Sequence, residues 1–378
     1  MTALLAAGCA AACGAADADP APSNTGLGAP GAAPPAAGNP VVTTPTSPSN
    51  GGVPSGGVNA PSSATMGSPT PASGSSVPPV AAAPVPFDYV GEQVSLTQNR
   101  VVAAGETLRI GAGTTLTASV GVTLRVEGTL LVEGTQEAPV RFLGAGTPRS
   151  WEGIVLAEGS SANLKYVEIS GATYGIFALP GSSFSVDRAD IGESFKAAIV
   201  QSDGSFSNTA FHASGDPTFS LSGAAPITDV NGTLTIVDAS PTITNSSFDR
   251  GAPLVDMVRV RGTSSPTFDH CSFTDAHCGV HTEDVANGGT RITNSTFRNM
   301  PFGLMAFNTA PQLEGNVFTG NGSDIGVCLG ATTATAPVLK GNYYEGGVPR
   351  FDASCSQVNT ADSAPAATPN PSAGPVGL

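Results

Sequence analysis

The stretch Thr242-Ile243-Thr244-Asn245-Ser246-Ser247-Phe248-Asp249 (TITNSSFD) recurs almost letter for letter as RITNSTFR at 291–298. Each copy contains Asn-x-Ser/Thr, the form of an N-glycosylation acceptor. Each also sets Ser beside Asn, as a small polar site would. A third reading makes the copies rungs of a repeat. Spacing decides among the three. Phe248 has an apolar residue five positions before it, Ile243. The same pair recurs as Leu164/Ile169, Val186/Ile191, Phe206/Phe211, Phe268/Phe273, Ile292/Phe297, Leu313/Phe318 and Leu339/Tyr344. Successive second members lie 22, 20, 37, 25, 24, 21 and 26 residues apart. The long step from 211 to 248 encloses SLSGAAPITDVNGTLTIVDAS, room for an added coil or a loop.

Two inward residues on one strand differ by an even number, so a spacing of five requires a bend between them. The residues three before each second member are Tyr166, Arg188, Asn208, Asn245, His270, Asn294, Gly315 and Gly341. Six of these eight are Asn, Gly or His, which tolerate positive φ. Each unit is therefore a short strand, a left-handed corner and a second short strand. Units of this length cannot bury a face alone; stacked, they share a core. Coils rise by about 4.8 Å, so Phe248, Phe273, Phe297 and Phe318 are expected to stack. Asn208, Asn245, His270, Asn294, Gly315 and Gly341 are the expected corner ladder, with Asn245 turned into a corner of the coil. Neither the glycosylation nor the catalytic reading suits a slot that also accepts glycine.

The front of this region is punctuated by glycine in GTLLVEGT (128–135), APVRF (138–142), WEGI (151–154) and LKYVEISGA (164–172). These segments closely resemble the opening coils of bacterial right-handed parallel β-helix surface proteins. The later coils resemble the same pectin-lyase-like superfamily, whose stacked corner asparagines form an internal ladder. The resemblance spans roughly 100–350. It implies an all-β, single-stranded, right-handed parallel β-helix of about ten coils of 20–26 residues. It also implies that Trp151, the sole Trp, packs beside an early corner as core. The fold carries lyases, hydrolases, adhesins and inert scaffolds alike, so it does not name an activity.

The rest of the chain is of another kind. Charged residues make up 12% of the 378, the formal net charge is −14, and the first basic residue is Arg100. With no basic run to neutralise phosphates, nucleic acid is excluded as a partner, and an anionic membrane surface would repel the chain. Residues 1–14 (MTALLAAGCAAACG) resemble the end of a bacterial lipoprotein leader, cut before a lipidated cysteine. Cys9 follows Gly8 as that box requires, and Cys13 is the poorer alternative. Leu5 sits one position early, the apolar run is short and a basic n-region is missing, as expected of a start assigned too late. The leader implies export, an envelope-lipid anchor and an outer-membrane or cell-surface location. No apolar run is long enough to span a membrane. Residues 15–86 hold half of the 32 prolines and almost no charge. They cannot bury enough apolar area to offset ordering and are expected to be a disordered linker. Residues 357–378 are expected to be a shorter tail of the same kind, leaving 87–356 as the β-helix domain.

Candidate chemistry is sparse. Lyases of the resembled superfamily need Ca²⁺-binding carboxylates with an Arg or Lys base, and its hydrolases need clustered Asp with His. Neither set stands out, so no cofactor is expected unless the lyase alternative holds and brings Ca²⁺. Stacking sets Glu168 and Asp190 at equivalent positions on adjacent coils, where a retaining glycosidase would hold its acids and where two solvated acids would also sit. The densest polar run is FDHCSFTDAHCGVHTEDVAN (268–287), with three of the four His. Its His and Cys would permit Zn²⁺. The repeat frame instead puts His270 at a corner and Cys271 in the inward slot that Ser246 and Ser295 fill. Cys271 and Cys278 are expected to close a short disulfide, and Cys328 and Cys355 to pin the last coil. His281 is aligned with Asp256, and Asp284 with Arg259, as cross-coil pairs. Asp256, Arg259, Arg261, His281, Glu283 and Asp284 are the catalytic candidates if any exist. The favoured reading is a tethered, non-enzymatic surface module for adhesion, glycan contact or envelope structure; alternatives are a polysaccharide lyase or glycoside hydrolase, and a passive spacer.

Overall fold

The computed structural model describes residues 86–146, 149–214, 232–251, 255–283, 285, 289–307, 309–328, 337–352, 362 and 364–377. Asp284, the linker 15–86 short of its last residue, and the leader with Cys9 and Cys13 lie outside these. So do Cys355 and the Cys328 side chain.

The described residues form a parallel β-helix. Its strands build two sheets, one of twenty short strands and one of ten, paired in parallel. No helix occurs among them. In the wide sheet each coil contributes two strands separated by the corner: Thr242–Thr244 and Ser247–Asp249, then Thr267–Asp269 and Ser272–Thr274, then Arg291–Thr293 and Thr296–Arg298. Register is strict. Ile243 faces Phe268 and then Ile292, and Phe248 faces Phe273 and then Phe297. The narrow sheet contributes one strand per coil, such as Gly232–Val237, Asp256–Arg261, Cys278–Glu283 and Phe302–Phe307.

The aromatic column is continuous. Rings stack from Phe211 to Phe248 at 4.7 Å, to Phe273 at 4.9 Å, to Phe297 at 4.8 Å, to Phe318 at 4.7 Å and to Tyr344 at 5.3 Å. These spacings equal the strand separation, so each ring sits on its equivalent one coil below. Toward the N-terminus the same column continues as Ile191, Ile169, Phe142 and Leu116, all buried. Trp151 is fully buried and donates its indole N–H to the Ser170 carbonyl at 3.0 Å.

All eight corner residues have φ between 48° and 68°. Their side chains do not form the inward ladder. That ladder stands one residue later, in Thr209, Ser246, Cys271, Ser295, Asn316 and Asn342, all fully buried. Ser246 Oγ accepts from Thr209 N, Ser295 Oγ from Cys271 N, Asn316 Oδ1 from Ser295 N, and Asn342 Oδ1 from Asn316 N, at 2.9–3.2 Å. The correction has a backbone cause. The left-handed residue reverses the chain's pleat, so its own side chain points out and its successor's points in. Asn245 and Asn294 are half-buried on the outside. There they extend a second, outer row: Asn208 Nδ2 donates to Asp187 and Asn245 Nδ2 to Asn208, both at 2.6 Å.

Two further expectations are corrected. Cys271 and Cys278 are buried thiols, not a disulfide. Cys271 lies in the inner ladder, donating to the Ile243 and Asp269 carbonyls, while Cys278 opens a strand of the other sheet beyond the Asp275 corner. Burial pushes the Cys271 thiol up to about 12. The C-terminal segment is also not a free coil. Asp362 and residues 364–377 are placed against the corners, where Asp362 accepts from the Asn342 backbone and side-chain N–H groups at 2.9 Å.

Candidate functional site

The polar run singled out by sequence converges on the outer face of the narrow sheet. In register, Thr235, Arg259, His281 and Met305 succeed one another in one column. Val237, Arg261, Glu283 and Phe307 form the next. Gly232 is paired with Asp256, and a Cβ there would come within 2.8 Å of the Arg259 side chain, so glycine makes room for the arginine stem. His281 thus pairs in register with Arg259, and Asp256 with Cys278, which corrects the alignment expected from sequence. The imidazole still reaches diagonally to Asp256.

Asp256 is the hub. Its Oδ1 accepts from His277 Nδ1 at 3.1 Å; its Oδ2 accepts from His281 Nδ1 at 3.0 Å and Arg259 Nη1 at 3.1 Å. Arg259 Nη2 donates to Glu283 Oε2 at 2.7 Å, and Arg261 Nε lies 3.5 Å from the same oxygen. The side chains of Asp256, Glu283 and Arg259 are 5%, 8% and 12% exposed. Burial alone would raise the Asp256 carboxyl. The hydrogen bonds from His277 and His281, with the His281 and Arg259 charges, outweigh it and hold the group well below the usual carboxylate range. Burial likewise opposes the Arg259 charge, and the Asp256 and Glu283 carboxylates overcome it and raise its pKa. Two donors on this face have no partner among the described residues: Arg259 Nε and the Thr235 hydroxyl. Part-exposed aromatic rings flank the ionic island. Phe302 and Phe307 pack on His277 and His281 at 5.3 and 5.1 Å; Tyr174 and Phe177 lie on earlier coils.

His277 was not among the candidates read from sequence. It stands just before the strand Cys278–Glu283, and its imidazole reaches the same carboxylate as that of His281. Among the described residues no group of three or more His, Cys, Asp or Glu is arranged to hold a metal ion.

A second cluster lies on the outer face of the wide sheet. Arg141, Glu168 and Asp190 follow one another in register. Arg141 Nε donates to Glu168 Oε2 at 2.7 Å, and Asp190 pairs with the His212 imidazole through Nε2. His212 lies over Gly192, whose added Cβ would meet the imidazole at 2.3 Å. Glu168, Asp190, Glu193 and His212 line a shallow cleft of about 120 Å³. Glu168 and Asp190 are 39% and 57% exposed. Sequence reading paired the two acids; it missed Arg141 and His212, which sit on them from neighbouring coils.

A family model described as the right-handed beta helix region matches residues 152–348, more than half of the chain. The chain belongs to that family. Among curated proteins, none matches it. Three solved structures are similar in fold. The Dettilon tailspike protein is 12% identical with a TM-score of 0.49, over 68% of this chain and 55% of its own. The pectate lyase Pel9A is 15% identical with a TM-score of 0.30, over 75% and 82%. A tailspike from Acinetobacter baumannii bacteriophage Fri1, described as a capsular polysaccharide depolymerase, is 13% identical with a TM-score of 0.25, over 67% and 63%. This chain thus spans about half the length of the first tailspike.

Proposed function

We propose that this β-helix is a non-enzymatic binding module whose narrow-sheet outer face contacts polysaccharide. The carrying observation is the locked network around Asp256. A general acid or base must exchange a proton near working pH. Here the hub carboxylate is held ionised by three donors, and Glu283 is engaged by two arginines. What this face offers a ligand is fixed polar geometry. Its accessible groups are Arg261, 36% exposed, and the part-exposed Phe302 and Phe307 rings; the Arg259 Nε and Thr235 hydroxyl are buried, without a partner among the described residues. A sugar ring has the matching chemistry, hydroxyls on its rim and apolar C–H faces. Sites of this type combine a few placed polar groups with aromatic walls. In the same proposal the Cys9 leader exports the chain and anchors it to envelope lipid, with residues 15–86 as tether. A panel of neutral and uronic-acid polysaccharides in affinity electrophoresis tests it. Retardation that Arg259→Lys weakens supports the reading; absence of retardation by every polymer overturns it.

One observation favours a second reading, hydrolysis or β-elimination at the wide sheet. The cleft holds the accessible acids Glu168 and Asp190 beside His212, with Arg141 paired to Glu168. Release of reducing ends, or of ultraviolet-absorbing unsaturated product, with and without Ca²⁺, reports it. Activity abolished by Glu168→Gln or Asp190→Asn would replace the binding reading with this one.

A further inference from the structure

The outer corner column already holds a ligand, the chain's own C-terminus. Asp362 is 8% exposed and ends the inner ladder. Its Oδ1 accepts from Gly341 N and Ala364 N, and its Oδ2 from Asn342 N and Nδ2, all at 2.9 Å. From there the segment runs back across the coils. Ala366 N donates to Asn342 O at 2.9 Å. Asn370 Nδ2 donates to Gly315 O at 3.1 Å and to Asn294 Oδ1 at 3.3 Å. Gly374 N donates to Asn294 O at 2.8 Å, and a Cβ on Gly374 would lie 3.3 Å from the Thr296 methyl. Val376 is held at both ends by one side chain: its N–H donates to Asn245 Oδ1, and its carbonyl accepts from Asn245 Nδ2 at 3.1 Å.

On their own side of these contacts residues 366–377 use backbone groups and the Asn370 amide, with little apolar burial. Pro365, Pro369, Pro371 and Pro375 fix φ along the segment, so it loses little freedom on docking. We infer that the corner column formed by Asn245, Asn294 and the Gly315 carbonyl is a peptide-binding groove. It takes an extended Asn-Pro and Gly-Pro segment, occupied in cis by residues 366–377 and open to the same segment of a second copy. The covalent link gives the cis occupant a high effective concentration, so exchange between copies needs the cis segment displaced.

The test uses the chain ended after Ala366, which keeps Asp362 and the Ala366 contact, and a fluorescent peptide of residues 367–378. The shortened chain should bind the peptide saturably. The full chain should bind it at least about tenfold more weakly, because its groove is filled. Asn245→Gly in the shortened chain keeps the left-handed corner, removes the amide clamp, and should lower affinity about tenfold. A folded shortened chain that does not bind, or binds equally with Asn245→Gly, overturns the inference. If the shortened chain does not fold, hydrogen exchange of the Val376 amide in the full chain decides. Protection that Asn245→Gly removes supports the groove, and unprotected exchange in the unaltered chain overturns it.

Discussion

The two charged clusters use similar residue types and behave oppositely. On the narrow sheet, Asp256 and Glu283 are nearly buried and each is met by at least two cationic or imidazole groups. On the wide sheet, Glu168 and Asp190 are 39% and 57% exposed, and each has one ion-pair partner among the described residues. The first arrangement fixes charge and geometry; the second leaves carboxylates open to solvent. Residue type alone therefore does not mark a site on this scaffold. Burial and partner number do.

The largest expected effect tests the locked cluster. Asp256→Ala should cost about 3–5 kcal/mol, because Arg259, His277 and His281 lose their shared acceptor in a buried setting. Phe297→Ala provides a ruler from the core at about 3–5 kcal/mol. Urea unfolding of both variants checks the equivalence, and an Asp256→Ala cost below about 1 kcal/mol would place that residue with the exposed cluster.

Acid sensitivity sharpens the contrast. The Asp256 carboxyl is depressed in the fold, whereas an unfolded Asp titrates near about 3.9. The folded chain then binds fewer protons than the unfolded one, so stability rises with pH in that window. Its contribution is fully present above the unfolded value and is lost as pH falls below about 4 toward the folded value. Asp256→Asn should flatten this acid limb relative to the unaltered chain; parallel limbs in pH-dependent thermal melts would contradict the locked network. Smallest of all, Glu168→Gln and Asp190→Asn should each change stability by no more than about 0.5 kcal/mol. A loss above about 2 kcal/mol in either would mean that the exposed acids are structural after all.

The fold was legible because its signal is repeated. One apolar pair per coil, spaced by five, leaves room only for a strand–corner–strand unit, and the ring column from Phe211 to Tyr344 follows. What the letters do not carry is the direction of a side chain at a left-handed residue. Sequence placed Ser246 in an inward slot and also turned its neighbour Asn245 into the corner; only the backbone decides that Asn245 faces out. Site membership was legible for Asp256, Arg259, His281 and Glu283, which share one dense stretch and the coil before it. Arg141, His212 and His277 were missed because contacts across coils depend on register to the residue. The C-terminal segment escaped for a different reason. Composition reports how much apolar area a segment can bury, and residues 364–377 dock mainly through hydrogen bonds.

The central claim is binding without turnover, and one measurement addresses it most directly. The protein is incubated with the polysaccharide that retards it most in affinity electrophoresis. Retained polymer and released product are then followed in the same samples. The account predicts retention, weakened by Arg259→Lys, with polymer length unchanged and no reducing ends or unsaturated product above the blank. Product that accumulates with time and disappears in Glu168→Gln or Asp190→Asn would contradict it.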